Sequence, residues 1–327
     1  MRACFYDGPG AAAEVLTVGD LPDPAPGPGQ VLVRVAFSGV NPSDVRARAG
    51  ARPMEFPRVV PHSDGSGVVE AVGEGVDPAR LGERVWLWNA QWGRAMGTCA
   101  ERVALPADMA VALPQGASLE HGACLGIPAQ TAHACVFGDG PVEGRTVLVS
   151  GGGGAVGAFA VTMARLGGAR VIATAGSAAT AARAREAGAH EVVDRHGDAA
   201  AAVQALGPAG VDRIVEVELG ANLPLIQAVL KPNGTVAAYG SAALRQPVLP
   251  FYPLMFNGTT LRMVLVYILP PEARARAVAD ITRWLAEGAL SHRVAAVLPL
   301  ERTAEAHEMV EQGRRVGSVL VEVSPGL

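Results

Sequence analysis

The sequence predicts an α/β fold, a β-rich unit joined to a doubly wound parallel sheet, on three observations. About the first 110 residues carry short β-branched or aromatic runs punctuated by Pro and Gly. From residue 145 strand-like runs alternate with helix-like ones, the rhythm of parallel strands joined by right-handed crossovers. The first strand of that alternation runs straight into four consecutive glycines. At 327 residues, and roughly 100–200 residues per domain, the chain has length for about two domains.

In chain order, strands are expected over 31–35 (VLVRV), 67–72 (GVVEAV) and 84–88 (RVWLW), bounded by Pro22 to Gly29, Pro57, Pro61 and Gly73 to Gly75. The parallel segment opens with strand 146–150 and helix 154–166. Strand 170–174, helix 178–187 and strand 191–193 follow, then a weak helix 199–206, strand 213–217, helix 222–230 and strand 235–239. The apolar run 261–269 reads as a further strand. Pro271 opens a helix that puts Val278, Ile281, Trp284 and Leu285 on one face and meets Gly288 near its end. The last strand is 318–323, and no repeat or low-complexity linker interrupts the series.

Hydrophobic residues make up 50% and charged residues 18%, with a net charge of −4. That balance excludes a disordered chain and offers nucleic acid no basic surface. Lys231 is the only lysine, so 26 of the 27 basic residues are Arg, and no lysine stands near the motifs below as a general base or phosphate clamp. Cys4, Cys99, Cys124 and Cys135 lack the spacing of a zinc knuckle or a redox pair. They are expected as reduced thiols. The start MRACF has no apolar core of signal-peptide length, so a cytoplasmic location is expected. The uncharged stretch 146–164 approaches a membrane span in length, but each of its central glycines costs about 1 kcal/mol in a helix relative to Ala. No membrane segment is expected.

The turn VLVSGGGGAVG at 147–157 has the strand-to-helix context of a dinucleotide-binding loop. Gly151 permits the tight turn, Gly154 lets backbone N–H groups approach a pyrophosphate, and Gly157 lets the helix pack against the sheet. The helix start at Ala155 and Val156 adds positive partial charge. An NAD site usually places Asp or Glu about 20 residues after the first glycine. Here the second strand ends IATAGS at 172–177, without a carboxylate. Ser177, Arg183 and Arg195 offer donors to a 2′-phosphate, which favours NADPH; the alternative is that both arginines are solvated side chains.

Separated motifs then carry a family resemblance. SGVNPSD at 38–44, PHSDGSG at 61–67, GIPAQTA at 126–132, AGS at 175–177 and GAHEV at 188–192 resemble zeta-crystallin-type quinone oxidoreductases, zinc-free members of the medium-chain dehydrogenase/reductase superfamily. The resemblance covers essentially the whole chain. It implies a discontinuous GroES-like catalytic domain, 1–120 and 265–327, around a Rossmann NADPH-binding domain, 121–264. It also implies hydride transfer to a quinone or a related conjugated carbonyl, and a homodimer in which the strand near 260–269 pairs across a two-fold axis. Asn41 would donate to the substrate oxygen, Thr131 would hold the nicotinamide end, and Asp44 completes the Asn-x-x-Asp pattern in a catalytic or structural role. Gly176, Ser177, Gly240 and Ser241 are implied as further cofactor neighbours.

The resemblance implies no metal as well. The zinc-ligand places of zinc-dependent relatives fall on Asn41, on Ser63 with Asp64, and on Ile127, and 86–101 contains only Cys99. Asn and Ser are poor zinc ligands. His62, beside Pro61, reads as an isolated polar packing residue. The substrate pocket departs from the family: Arg46 stands where a Tyr is usual, and Cys99 where a second aromatic is usual. Trp88, Trp92, Tyr252 and Tyr267 are candidate replacement walls, and Arg46 is a candidate reader of an anionic substituent. The glycine loop also lacks the usual serine, with Gly153 in its place. An NADPH-dependent alkenal or enone reductase is the alternative activity, and a low-turnover NADPH-binding structural or regulatory protein the alternative class.

Overall fold

The computed structural model describes residues 1–313 and 316–327. The chain divides into one unit made of Met1–Ile127 with Val278–Leu327, and a second made of Pro128–Ala277. The first unit begins with β1 (Arg2–Phe5), the short helix α1 (Ala12–Val15) and β2 (Thr17–Asp20), with β1 and β2 forming an antiparallel pair. Then come β3 (Gln30–Val40), α2 (Pro42–Arg48), β4 (Asp64–Val72), β5 (Arg84–Leu87), β6 (Arg102–Pro106), β7 (Ala110–Ala112) and α3 (Leu119–Gly122). The eleven-residue β3 pairs antiparallel with both β4 and β6. Two register shifts along its pairing with β4 bend the sheet, as bulges do. A π-helical turn, Leu125–Ala129, closes this segment.

The second unit starts with α4 (Gln130–Phe137) and alternates as expected: β8 (Thr146–Val149), α5 (Ala155–Leu166), β9 (Arg170–Ala175), α6 (Ala178–Glu186), β10 (Glu191–Asp194), α7 (Ala199–Leu206), β11 (Val211–Glu216), α8 (Leu219–Val229) and β12 (Leu230–Ala238). The helix α9 (Phe251–Phe256) and the strand β13 (Thr260–Met263) follow. All six strands are parallel, in the order β10-β9-β8-β11-β12-β13. This is the doubly wound dinucleotide-binding order, and its switch point lies between β8 and β11. The β-branched runs fill a core of Leu148, Ile172, Ile214, Ile226 and Val236.

Helix α10 (Pro271–Ala286) carries the chain back into the first unit. There β14 (Val294–Pro299), α11 (Thr303–Gln312) and β15 (Ser318–Glu322) complete a seven-stranded sheet in which β15 joins β14 to β3. Its core is Val33, Val85, Leu87, Leu105, Val319 and Val321.

Two expected elements differ. The run 261–269 is a strand only over Thr260–Met263, and Val266–Ile268 is a 3-10 turn. Arg274 of α10 holds the Val266 carbonyl, and Pro270 and Pro271 cannot donate to a ladder. The helix expected at 222 begins at Leu219, because the Leu219 and Gly220 N–H groups find acceptors in the Gly240 carbonyl and the Ser241 hydroxyl. Among the described residues no helix is long and apolar enough to cross a membrane.

Candidate functional site

The glycine turn is built as its sequence predicts. Gly151 has φ +66°, a region that L side chains avoid. A Cβ on Gly157 would lie 2.1 Å from the Gly151 carbonyl oxygen, so α5 packs directly on the turn. Gly154 is the N-cap of α5. At the switch point a groove of about 560 Å³ is lined by Ser150, Gly151, Thr174, Arg195, Val217 and Asn222, among others. Ligands of open α/β sheets bind at this place, beyond the carboxyl ends of the strands. The bare backbone at Gly151, the N-terminal amides of α5 and the groove together fit a nicotinamide dinucleotide.

The carboxylates on the groove are already engaged. Asp198 caps α7 through the Ala201 N–H, and Glu218 accepts from the Ala242 and Ala243 N–H groups. Buried Glu216, at the end of β11, accepts from Asn222 Nδ2 at 2.8 Å and from the Glu218 N–H, while its Oε2 has no partner. Burial holds this carboxyl above its ordinary value. The sequence reading missed Glu216, whose signal was an acid ending the fourth strand of the alternation.

The basic groups sort differently from expectation. Arg195 is exposed on the groove and lies over Gly176, where an added Cβ would meet its Nε at 2.3 Å. Arg183 is buried and within 3.8 Å of Glu186, which corrects its reading as a phosphate donor: the register of α6 turns it toward the protein. Arg185, two residues on, lines a neighbouring pocket with Gly176 and Ser177. The Ser177 hydroxyl caps α6 through the Thr180 N–H at 3.2 Å. Ser241 accepts from the Gly220 N–H and donates to the Leu244 carbonyl, while a Cβ on Gly240 would strike the Val217 carbonyl. Both serve the packing of α8.

In the first unit, Asn41 caps α2. Its N–H donates to Asp44 Oδ2 at 2.8 Å, and its Nδ2 donates to Asp64 Oδ2 at 2.8 Å. The Ile127 N–H, in the π-helical turn, donates to both Asp64 oxygens at 2.8 and 2.9 Å. Gly126 makes this approach possible, since a Cβ there would lie 2.1 Å from Asp64 Oδ1. Burial pushes the Asp44 carboxyl up to about 7 and the Asp64 carboxyl well above the usual carboxylate range. Three places compared with zinc ligands thus converge on one carboxyl, but two of them offer N–H donors, which a metal ion cannot use. Among the described residues no three His, Cys, Asp or Glu side chains gather as a metal cluster. Thr131, in the second unit, is buried in the first turn of α4.

The expected pocket walls differ in burial. Cys99 is fully buried, 3.5 Å from the Thr303 hydroxyl, and Trp88 is buried with its indole N–H on the Asp108 carbonyl. Tyr252 lies 65% exposed on α9, edge-on to Phe251 and stacked on Phe256. Arg46 is exposed on α2. His62 is not isolated: its Nε2 meets His307 Nε2 at 2.9 Å and its Nδ1 meets the Ser38 hydroxyl at 2.7 Å. Burial lowers both imidazoles, His307 to about 3, so this pair stays neutral.

Comparison with known proteins agrees with both units. Residues 27–115 match the family model described as alcohol dehydrogenase GroES-like domain, and 155–283 match that described as zinc-binding dehydrogenase. Quinone oxidoreductase of Sus scrofa is 31% identical over 302 residues, covering 90% of this chain and 89% of that one. A solved NAD-dependent alcohol dehydrogenase superposes with a TM-score of 0.90 at 32% identity, covering 99% of this chain and all of the other. The mycobacterial protein Rv1454c, solved in complex with NADPH, superposes with a TM-score of 0.87 at 30% identity, covering 98% of this chain and all of the other.

Proposed function

The chain belongs to the zeta-crystallin-like quinone oxidoreductases of the medium-chain dehydrogenase/reductase superfamily, and from that premise we propose that it is an NADPH-dependent quinone reductase working without zinc. The observation that carries the cofactor choice is the groove above Gly151, where Arg195 is exposed and the lining carboxylates Asp198 and Glu218 accept from backbone N–H groups. The support for zinc-free chemistry is the donor set of Asn41, Asp64 and Ile127. When bound, the nicotinamide supplies a hydride from C4.

The chain's own residues then have separable tasks. The amides at the start of α5 and the backbone at Gly151 receive the pyrophosphate. Arg195, with Arg185 and Ser177 nearby, receives the 2′-phosphate as a charge-assisted contact. Asn41 Nδ2 carries two hydrogens, and Asp64 takes one. The other donates to the substrate oxygen as negative charge develops there. Asp44 fixes the Asn41 main chain, and Thr131 positions the nicotinamide end. The apolar edge at β13 is covered by a second copy of the chain.

The test is NADPH and NADH oxidation across a panel of quinones and alkenals. We expect KM for NADPH at least about tenfold below that for NADH, a gap of about 1.4 kcal/mol, narrowed in Arg195→Ala. A preference for NADH overturns the cofactor assignment. If every enone has a higher kcat/KM than every quinone, the activity is that of an enone reductase; binding of NADPH without oxidation by either class removes the enzyme reading.

A further inference from the structure

We propose that a small pocket on the first unit, formed by Arg52, Tyr6 and Gln91, is an anion subsite that takes the carboxylate of a negatively charged quinone or enone. This rests on the reading of the chain as a hydride-transfer enzyme and adds a substrate class to it. The pocket lies beside α2, whose N-cap is Asn41, and includes Ala47 of that helix. Gly50, with φ +85°, ends the helix and turns the following segment back, which brings Arg52 in front of Tyr6.

The Arg52 guanidinium bonds to and stacks on neutral groups, and the buried Asp44 carboxyl lies within electrostatic reach of it. Its Nη2 donates to Gln91 Oε1 at 3.3 Å, and its carbon stands 4.9 Å from the centroid of the Trp92 ring. Glu55, on the same pocket, makes no ion pair with it among the described contacts. Nη2 carries a second hydrogen, so after the bond to Gln91 one paired edge of the guanidinium, Nε with Nη2 or Nη1 with Nη2, remains for an acceptor, in the planar fork that matches a carboxylate. Burial, and after it the Asp44 carboxyl, raises the Tyr6 phenol, which stays an O–H donor. Phe56 and Val59 give the pocket apolar walls, where a charge-assisted bond is stronger than in water. The cavity is about 20 Å³, room for a group the size of water or a carboxylate and not for a ring. The arginine singled out from the sequence was Arg46; the structure leaves that one in solvent and puts Arg52 at the pocket.

The experiment compares 4-oxo-4-phenylbut-2-enoate with its methyl ester, which differ in charge at one end of the same enone. We expect KM for the acid about tenfold below that for the ester, the size of one charged hydrogen bond. Arg52→Gln should abolish the advantage with kcat for the ester unchanged, and Arg52→Lys should restore part of it. Equal KM values for acid and ester, or a ratio that survives Arg52→Gln, overturn the subsite. Calorimetry with the saturated acid 4-oxo-4-phenylbutanoate separates this proposal from the catalytic one. Binding that is lost in Arg52→Gln, in a protein that oxidises no nicotinamide with any substrate, upholds the subsite and refutes the hydride reading; turnover of neutral quinones without binding of the acid does the reverse.

Discussion

Asn41 shows how much one side chain's role depends on its neighbours. Its amide is oriented by Asp64, and Asp64 in turn by an N–H that lies 63 positions further along the chain. Asp44 is one of two carboxyls, with Asp64, through which this corner responds to pH. Its folded value, about 7, lies above the ordinary value of about 3.9, so the folded state binds the proton more tightly than the unfolded one. Its contribution is therefore fully present below about pH 4 and is lost as pH rises through 7. Asp44→Asn keeps an oxygen for the Asn41 N–H and removes the titration. Urea unfolding at pH 4.5 and pH 8 should show the variant gaining on the wild type as pH rises, by up to about 4 kcal/mol. Parallel pH profiles for the two proteins would refute this role. Asp44 was legible as the acid of an Asn-x-x-Asp pattern, and Asp64 as a residue at a zinc-ligand place of zinc-dependent relatives; their coupling was not, because burial and the Ile127 contact are long-range facts.

At the scale of elements, the strand–turn–helix around Gly151 was readable because its constraints are local: φ, helix start and strand end all lie within a dozen residues. The facing of α6 was not. Helical periodicity alone cannot say which arginine turns outward, and packing buries Arg183 while leaving Arg185 at the pocket. The same packing explains the absent loop serine. A Cβ on Gly153 would lie 2.2 Å from the Thr180 carbonyl oxygen, so α6 sits where the serine side chain would go. Gly153→Ser, the substitution toward the family pattern, should destabilise the chain by about 1–3 kcal/mol and weaken NADPH binding, measured by denaturant midpoint and fluorescence titration. An unchanged midpoint with tighter binding would show that α6 yields freely. The pair His62 and His307 was equally hidden, since nothing near either residue announces the other.

For the whole molecule, the sheet edge at β13 makes the prediction. Phe256, Met263 and Ile268 are 81%, 63% and 66% exposed, and the strand's outer edge carries unpaired N–H and C=O groups, which proteins normally cover. A second copy pairing there gives a homodimer by light scattering, and Met263→Arg should yield monomer; a monomeric wild type contradicts the proposal. The sequence by itself determined the fold class, the alternation of the second unit and the glycine turn, because periodicity and local backbone demands are written in neighbouring residues. The tertiary structure alone decided which arginines reach a pocket, that Asp64 joins Asn41 to Ile127, and that Cys99 and Trp88 belong to the interior. These follow from how distant segments pack, and burial and hydrogen-bond partners are set only when the chain closes on itself.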